Sequence, residues 1–440
     1  MFLSVDFGTS AVKAAIVNEE GKILCHSKAD YSYLILPGEK NELRVEDLMG
    51  AFYQAAAGLP SELKKKVETV CYDTFSPSLI FLDRSGNLLY PNIITHLDRR
   101  SRAQTEYISK TFGNTAYMNI SGIYPFPGGC SAMTLLWFRE NMPEVLEKSY
   151  AVGHLTTLIH YLLTGNIMVD FVNASMLGVY ETTTQGGWSK ELLNAFELPE
   201  AIFPEILAPG TLGGSLKKDI AFKLGVREGI SVCVGTNDVA AAQMGAGNQS
   251  SGCMMNTTGS SEIISVLTDQ PRTDPGYYLR NAALPGLWQI FAITCGGFGV
   301  DWFWRQFCQE MTREEFYKFE EEQINRYLEV GSEGVWFEPY LSGDRQSLEK
   351  KTGAFHGLTL GTTKGQMLVA YLAAIQDVIY GTVEKAAKQI PLKSVVKVSG
   401  GMATESYLNL KKKLYPNYQL QMTEECPILG NVELAKYYLR

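Results

Sequence analysis

Two stretches of the chain, about 250 residues apart, share one pattern: an apolar strand, a glycine–hydroxyl turn and a second strand. In the first, Phe2–Val5 runs through Asp6 into the turn Phe7-Gly8-Thr9-Ser10 and on into Ala11–Val17, and Asn18-Glu19-Glu20-Gly21 then turns the chain into Lys22–Ser27. In the second, Cys253–Thr257 opens into Thr258-Gly259-Ser260-Ser261, and Glu262–Leu267 and Leu287–Thr294 supply the next strands. β-Rich runs punctuated by small-residue turns read as antiparallel hairpins. A repeat this long does not fit a solenoid and predicts duplicated domains. Apolar spacing predicts helices over 46–59 and 366–390, with a strand at Val67–Tyr72. Helices and strands in both halves predict two α/β domains of related topology. The Gly/Asn/Ser-rich stretch Gly245–Ser251 is suited to a hinge, which divides the chain into 1–247 and 248–440.

A length of 440 residues suits two domains of this kind. The formal net charge is −8, and no basic run exceeds Lys64–Lys66 or Lys411–Lys413, which disfavours a nucleic-acid partner. No stretch approaches 18 apolar residues, and the most apolar helical candidate, 158–163, is short, so no membrane span is expected. The start of the chain has neither a basic region nor a long apolar core, so no secretory signal is expected. Eight scattered cysteines lack any CxxC pair, and five histidines show no ligand or triad spacing. Both sets read as core residues of a cytoplasmic protein. Small-molecule chemistry is the expectation.

The common signatures fail: there is no GxxxxGK[ST], GxGxxG, GxSxG or HExxH. What remains is a set of small-residue turns and carboxylates at strand ends. Gly8-Thr9-Ser10 and Gly259-Ser260-Ser261 each offer amides and hydroxyls in a tight hairpin, and two such turns suit the two ends of a polyphosphate. Asp6 ends a buried-type strand, where a carboxylate is costly without a cation; magnesium beside phosphate oxygens fits, and capping of its own turn is the alternative. Asp238, in Gly235-Thr236-Asn237-Asp238, has the context of a helix cap and equally of a general base. Asp98-Arg99-Arg100 suits the hydroxyls of a polyol or, equally, a surface ion pair. Gly296-Gly297 and Gly400-Gly401 follow strands and suit close packing of a base or ribose, or plain turns. The Trp302–Trp304 cluster reads as core.

Together these segments resemble the FGGY carbohydrate kinases, which include xylulokinase, gluconokinase, ribulokinase and glycerol kinase. The resemblance runs from Val5 to about Leu439. Asp6-Phe7-Gly8-Thr9-Ser10 with Lys13 resembles the family's first phosphate motif, and Gly259-Ser260-Ser261 its second. His96-Leu97-Asp98-Arg99-Arg100 resembles the sugar-site W-x-D-x-R, Gly235–Asp238 with Gly245 the segment bearing the catalytic aspartate, and Ser399-Gly400-Gly401-Met402 the adenosine motif. Glu338–Arg345 and Gly353–Leu358 resemble further family segments. The resemblance implies two actin-like (ribonuclease H-like) ATPase domains flanking a cleft, with ATP and Mg²⁺ on the C-terminal side and a sugar or polyol on the N-terminal side. It implies Asp238 as the base, Asp6 at the metal, and a possible homodimer. Three positions depart from type: Thr74-Phe75-Ser76-Pro77-Ser78 stands where xylulokinases carry Gly-Gln-Met-His-Gly, His96 replaces the tryptophan, and Thr134 replaces a lysine. Ser76 is thereby a candidate for sugar contact. All three departures fall on the sugar side, so ATP use is better supported than any named sugar, although a ketopentose such as xylulose leads. Gluconate, ribulose or glycerol kinases, or a degenerate sugar sensor of the same fold, are the alternatives.

Overall fold

A computed structural model describes residues 1–341, 343–344 and 351–439; of the family-like segment 338–345, Ser342 and Arg345 lie outside the described residues. The first half is built on β1 (Phe2–Phe7), β2 (Ala11–Val17), β3 (Ile23–Asp30), β4 (Thr69–Thr74), β5 (Leu212–Ser215) and β6 (Ser231–Cys233). They lie in the order β5-β6-β4-β1-β2-β3, with Thr236–Asn237 added beside β4. β1 pairs antiparallel with β2 and parallel with β4. The parallel return needs a crossover, and α1 (Val45–Ala57) provides it, burying Leu48, Phe52 and Ala55 at helical spacing. A second helix, α2 (Asp238–Gly245), leaves the strand end at Asn237.

The second half repeats the plan. β7 (Met254–Thr258), β8 (Ser261–Thr268), β9 (Tyr278–Asn281), β10 (Trp288–Cys295), β11 (Val395–Ser399) and β12 (Gln419–Met422) run in the order β9-β10-β8-β7-β11-β12. β7 pairs antiparallel with β8 and parallel with β11, as β1 does with β2 and β4. β10 ends in α3 (Gly297–Phe307), and α4 (Lys364–Ala387) is the long crossover helix. α4 is long and apolar enough to cross a membrane by length and composition, but 61% of its apolar window is buried inside the protein. Leu368, Leu372 and Ile375 on that buried face belong to the core of this half. The segment 158–163 lies, as expected, in a short apolar helix, Leu155–Thr164, which is mostly buried.

The last helix, α5 (Cys426–Leu439), comes from the second half of the sequence but packs behind the first sheet, with Ile428, Val432 and Ala435 against Phe2, Ala15 and Val17. It also crosses α2 at two glycines. A Cβ on Gly245 would overlap the Cys426 carbonyl, and one on Gly430 the Ala241 carbonyl. A cut at 247/248 therefore follows the two sheets but separates α5 from much of its packing. The strands come out within three residues of their sequence-based bounds, β2 at the bounds themselves. β1 runs two residues further than expected, through Asp6 and Phe7.

Candidate active site

A cavity of about 450 Å³ opens between the two sheets, with walls from both halves. Thr9 and Ser10 of the β1–β2 turn and Gly259, Ser260 and Ser261 of the β7–β8 turn line it, together with Asn237 and Asp238. The duplication thus places two equivalent hairpins on one space. Each is closed by its own backbone bond, Gly8 N–H to Ala11 O at 3.1 Å and Gly259 N–H to Ser261 O at 3.0 Å.

Cap and cavity fall on neighbouring residues at Asn237 and Asp238. Asn237 is the N-cap, its Oδ1 accepting from the amides of Val239 (3.1 Å) and Ala240 (3.4 Å). Asp238 is the first helical residue; its Oδ1 accepts from Asn237 Nδ2 at 2.7 Å and from the Val239 amide at 2.8 Å, so the carboxylate is held at a fixed place on the cavity wall. Burial, then the charge of Asp6, pushes its carboxyl up to about 7, the range of a general base.

Asp6 and Asp73 sit side by side on the parallel strands β1 and β4. Oδ1 of each is buried without a donor among the described residues, while each carboxyl lies within hydrogen-bonding reach of the other. Burial raises both; Lys13 partly offsets this at Asp6, and at Asp73 the charge of Asp6 adds to it. Asn431 of α5 donates to Asp73 Oδ2 at 2.5 Å. One shared proton or a cation satisfies such a pair. No cluster of three metal-ligating side chains occurs among the described residues. One or two carboxylates beside phosphate oxygens and water is the donor set magnesium prefers, so the residues fit it.

Lys13 is not on the cavity wall; its Nζ pairs with Glu425 at 3.3 Å, just before α5. Gly8 turns the hairpin, its carbonyl accepting from the Tyr31 hydroxyl. The glycine pairs split. A Cβ on Gly296 would lie 2.8 Å from Glu262 N, one on Gly297 3.0 Å from Gly259 O, and one on Gly400, at φ +112°, would overlap the Thr258 carbonyl. These three brace the second hairpin, and Gly297 and Phe298 donate to the carbonyls of Gly259 (2.8 Å) and Ser260 (3.1 Å). Their own protein neighbours already account for the missing side chains. Gly401 alone faces open space.

The polyol motif also divides. Asp98 and Arg100 are buried in an ion cluster: Arg100 donates to both Asp98 oxygens and to Glu42, and Asp98 Oδ2 accepts from the Asn41 amide at 2.8 Å. Neither lines the cavity, and the cluster is neither a surface ion pair nor an open polyol site. Arg99 does line it, as do His96 and Ser76. Ser76 donates to Asn173 Oδ1, and Asn173 Nδ2 donates at 2.6 Å to Asp170, whose Oδ1 accepts from Thr236 at 3.2 Å. That chain links the acceptor wall to the strand before Asp238. His154 and His160 are core groups, as expected, lowered by burial to about 3 and about 4. The other three are not: His26 is exposed on β3, His356 pairs with Glu338 at 2.8 Å, and His96 lines the cavity.

Sequence reasoning missed Asp73, Tyr31, Tyr33, Phe75 and Arg280. Asp73 carried the same signal as Asp6, a carboxylate at the end of a buried strand. Arg280 had none, since only the fold brings β9 to the cavity.

The model of the FGGY family of carbohydrate kinases, N-terminal domain, matches residues 1–245. The chain belongs to this family. It is an enzyme that phosphorylates carbohydrate, and kinases of this family use ATP. A xylulose kinase of Bacillus subtilis is 23% identical over 447 residues, covering 99% of this chain and 87% of the relative. Two Lactobacillus acidophilus structures share the fold at TM-score 0.88 and 21% identity, each covering 100% of this chain. One is a ligand-bound xylulose kinase, of which 90% is covered, and the other a gluconate kinase, of which 89% is covered. These kinases have two actin-like domains, and the two matching sheets described above are their counterpart in this chain.

Proposed function

We propose that the chain transfers the γ-phosphoryl group of ATP to a hydroxyl of a small sugar or sugar acid held at Asp238. The observation that carries this reading is Asp238 itself: a carboxylate held through Oδ1 by Asn237 and the Val239 amide, tuned to about 7, on a wall shared with both hairpins. Asp238 takes the acceptor proton as the acceptor oxygen bonds to the γ-phosphorus. The bond to the bridging oxygen breaks, and ADP leaves. Thr9, Ser10, Ser260 and Ser261 offer hydroxyls and turn amides to the phosphate oxygens. Asp6, backed by Asp73, would hold magnesium, which when bound neutralises charge on the phosphates. Closing the two halves over the cavity would exclude water as a competing acceptor. The division at 247/248 with a hinge at Gly245–Ser251 belongs to the same proposal, and the open side of Gly401 is where the nucleoside would pack.

The relatives' names make xylulose the first acceptor to try. The test is a coupled ADP-release assay with xylulose, other ketoses, alditols and aldonates, run on wild type and Asp238→Asn. An acceptor-stimulated rate lost by about 10²–10⁴-fold in the variant, with ATP affinity kept, supports the assignment. Equal loss of ATP binding and turnover removes Asp238 as the base. Basal turnover that no acceptor raises favours a sugar sensor.

A further inference from the structure

The acceptor end of the cavity is marked by two arginines that converge from opposite halves. Register places them relative to the phosphate hairpin: Cys295 of β10 opposes Ser261, whereas Phe291 opposes Tyr278 and Gln289 opposes Arg280. Four residues separate Cys295 from Phe291, about 13 Å of strand. The Arg280 guanidinium stacks over Phe291 with its carbon 4.2 Å from the ring centre, so it lies well away from the Gly259–Ser261 turn. Its charge nevertheless reaches Asp238, whose carboxyl it helps to keep ionised.

Arg99 approaches from the first half. It stacks over Phe126 at 5.2 Å and donates to the carbonyls of His96 (2.8 Å) and Asp98 (2.9 Å). Both guanidiniums meet the same dipeptide. Arg280 Nη2 donates to Gly129 O at 3.4 Å, and a Cβ on Gly128 would overlap Arg99 Nη1. Gly128 holds φ +81°, so the turn presents backbone alone where the two side chains come together. Both planes are fixed by aromatic rings, which leaves little rotamer freedom to lose on binding. Asp238 lines the same cavity as both arginines, and the charge of Arg280 acts on it. Phe75, Leu97, Ile263 and Ile293 add apolar wall nearby, and Ser76, His96, Tyr31 and Tyr33 add polar groups for the hydroxyls of the same acceptor.

We propose that Arg99 and Arg280 together bind the carboxylate of the acceptor, so that the preferred substrate is a sugar acid phosphorylated at a hydroxyl remote from its acid group. A planar fork matches a carboxylate in two parallel hydrogen bonds, and a site built for that pairing rejects an analogue lacking it. This rests on the kinase reading above and specifies its acceptor.

The test compares acceptors of equal length with and without the acid: D-gluconate against D-glucitol, and D-xylonate against D-xylitol and D-xylulose. The expected result is a kcat/KM at least about 100-fold higher for an aldonate than for its neutral partners. Arg99→Gln should collapse that ratio by ten-fold or more, through KM rather than kcat. Arg280→Gln should collapse it likewise through KM, with an added kcat loss near neutral pH common to all acceptors as Asp238 loses a neighbouring positive charge, and Arg280→Lys should restore part of both. Calorimetric titration of the aldonates into nucleotide-free wild type gives a second readout that needs no variant. A neutral ketose or alditol preferred over every aldonate overturns the proposal while leaving the kinase reading intact, and so does preference for a phosphorylated sugar. ADP release that no acceptor stimulates, with no aldonate binding, removes both.

Discussion

At the scale of single residues, the decisive fact is how Asn237 and Asp238 divide their labour. The sequence left capping and catalysis level at Asp238 because a carboxylate at a helix start has the chemistry for both, and Asn237 beside it can cap as well. In the fold Asn237 is the N-cap and Asp238 the first helical residue; the two share the Val239 amide, and both line the cavity. A carboxyl held near 7 has two consequences of opposite sense. As a base it must be ionised, so kcat/KM should rise with pH, about ten-fold per unit in the acid limb, and level off above about 7. For stability the folded pKa lies above the unfolded value, so this group's contribution is fully present below about pH 4 and is lost as pH rises through about 7. Asp238→Asn should therefore melt at a higher temperature than wild type at pH 8 and show little difference at pH 4.5. Thermal scans at the two values check it, and an equal difference at both would show that the buried charge is not the cause.

At the scale of elements, much was legible and the failures have physical reasons. β1, β2, β7 and β8 could be read because a buried strand ending in a glycine–hydroxyl turn leaves a strong local signal. Asp6 and Asp238 stood out as carboxylates at such ends. The roles of Asp98 and Arg100 could not be read, because the partner that turns them inward, Glu42, lies on a strand far off in sequence. Arg280 was invisible for the same reason. The glycines were legible as glycines, but not which neighbour demanded them. α2 and α5 cross where Gly430 faces the Ala241 carbonyl, whereas Gly381 inside α4 has nothing within 4 Å of a Cβ. Gly430→Ala should lower the melting temperature by the cost of overpacking, about 1–3 kcal/mol. Gly381→Ala should raise it slightly, by about 0.5–1 kcal/mol, as a glycine removed from a helix interior. A melt that moves in the same direction for both would contradict the close crossing.

At the scale of the whole molecule, the two halves are joined through α5 behind the first sheet and again along the β9 side of the second sheet. The edge strand β9, the start of β10 and the loop between them are fastened to residues 122–185 of the first half. Leu279 N–H bonds Gly122 O at 2.9 Å, Trp288 Nε1 bonds Thr182 O at 2.6 Å, Asn281 Nδ2 bonds Phe171 O at 2.9 Å, and the Gly286 amide bonds Gln185 Oε1 at 2.9 Å. Buried bonds of this kind open only with the structure around them. The Gly8–Ser10 and Gly259–Ser261 hairpins face each other across the cavity instead, and no backbone bond links one to the other. Closure on substrate should then draw the hairpins together about the fastened edge, which also holds Arg280 at a constant place relative to Asp238. Hydrogen exchange measured by mass spectrometry resolves the two regions. Peptides spanning 5–12 and 257–263 should gain protection when a nonhydrolysable ATP analogue and an acceptor are added, while 278–290 should be protected from the start and change little. Fast exchange over 278–290 in the free protein would mean that the halves part along that edge. The acceptor wall would then be assembled only by binding, and the paired arginines would form with the substrate rather than before it.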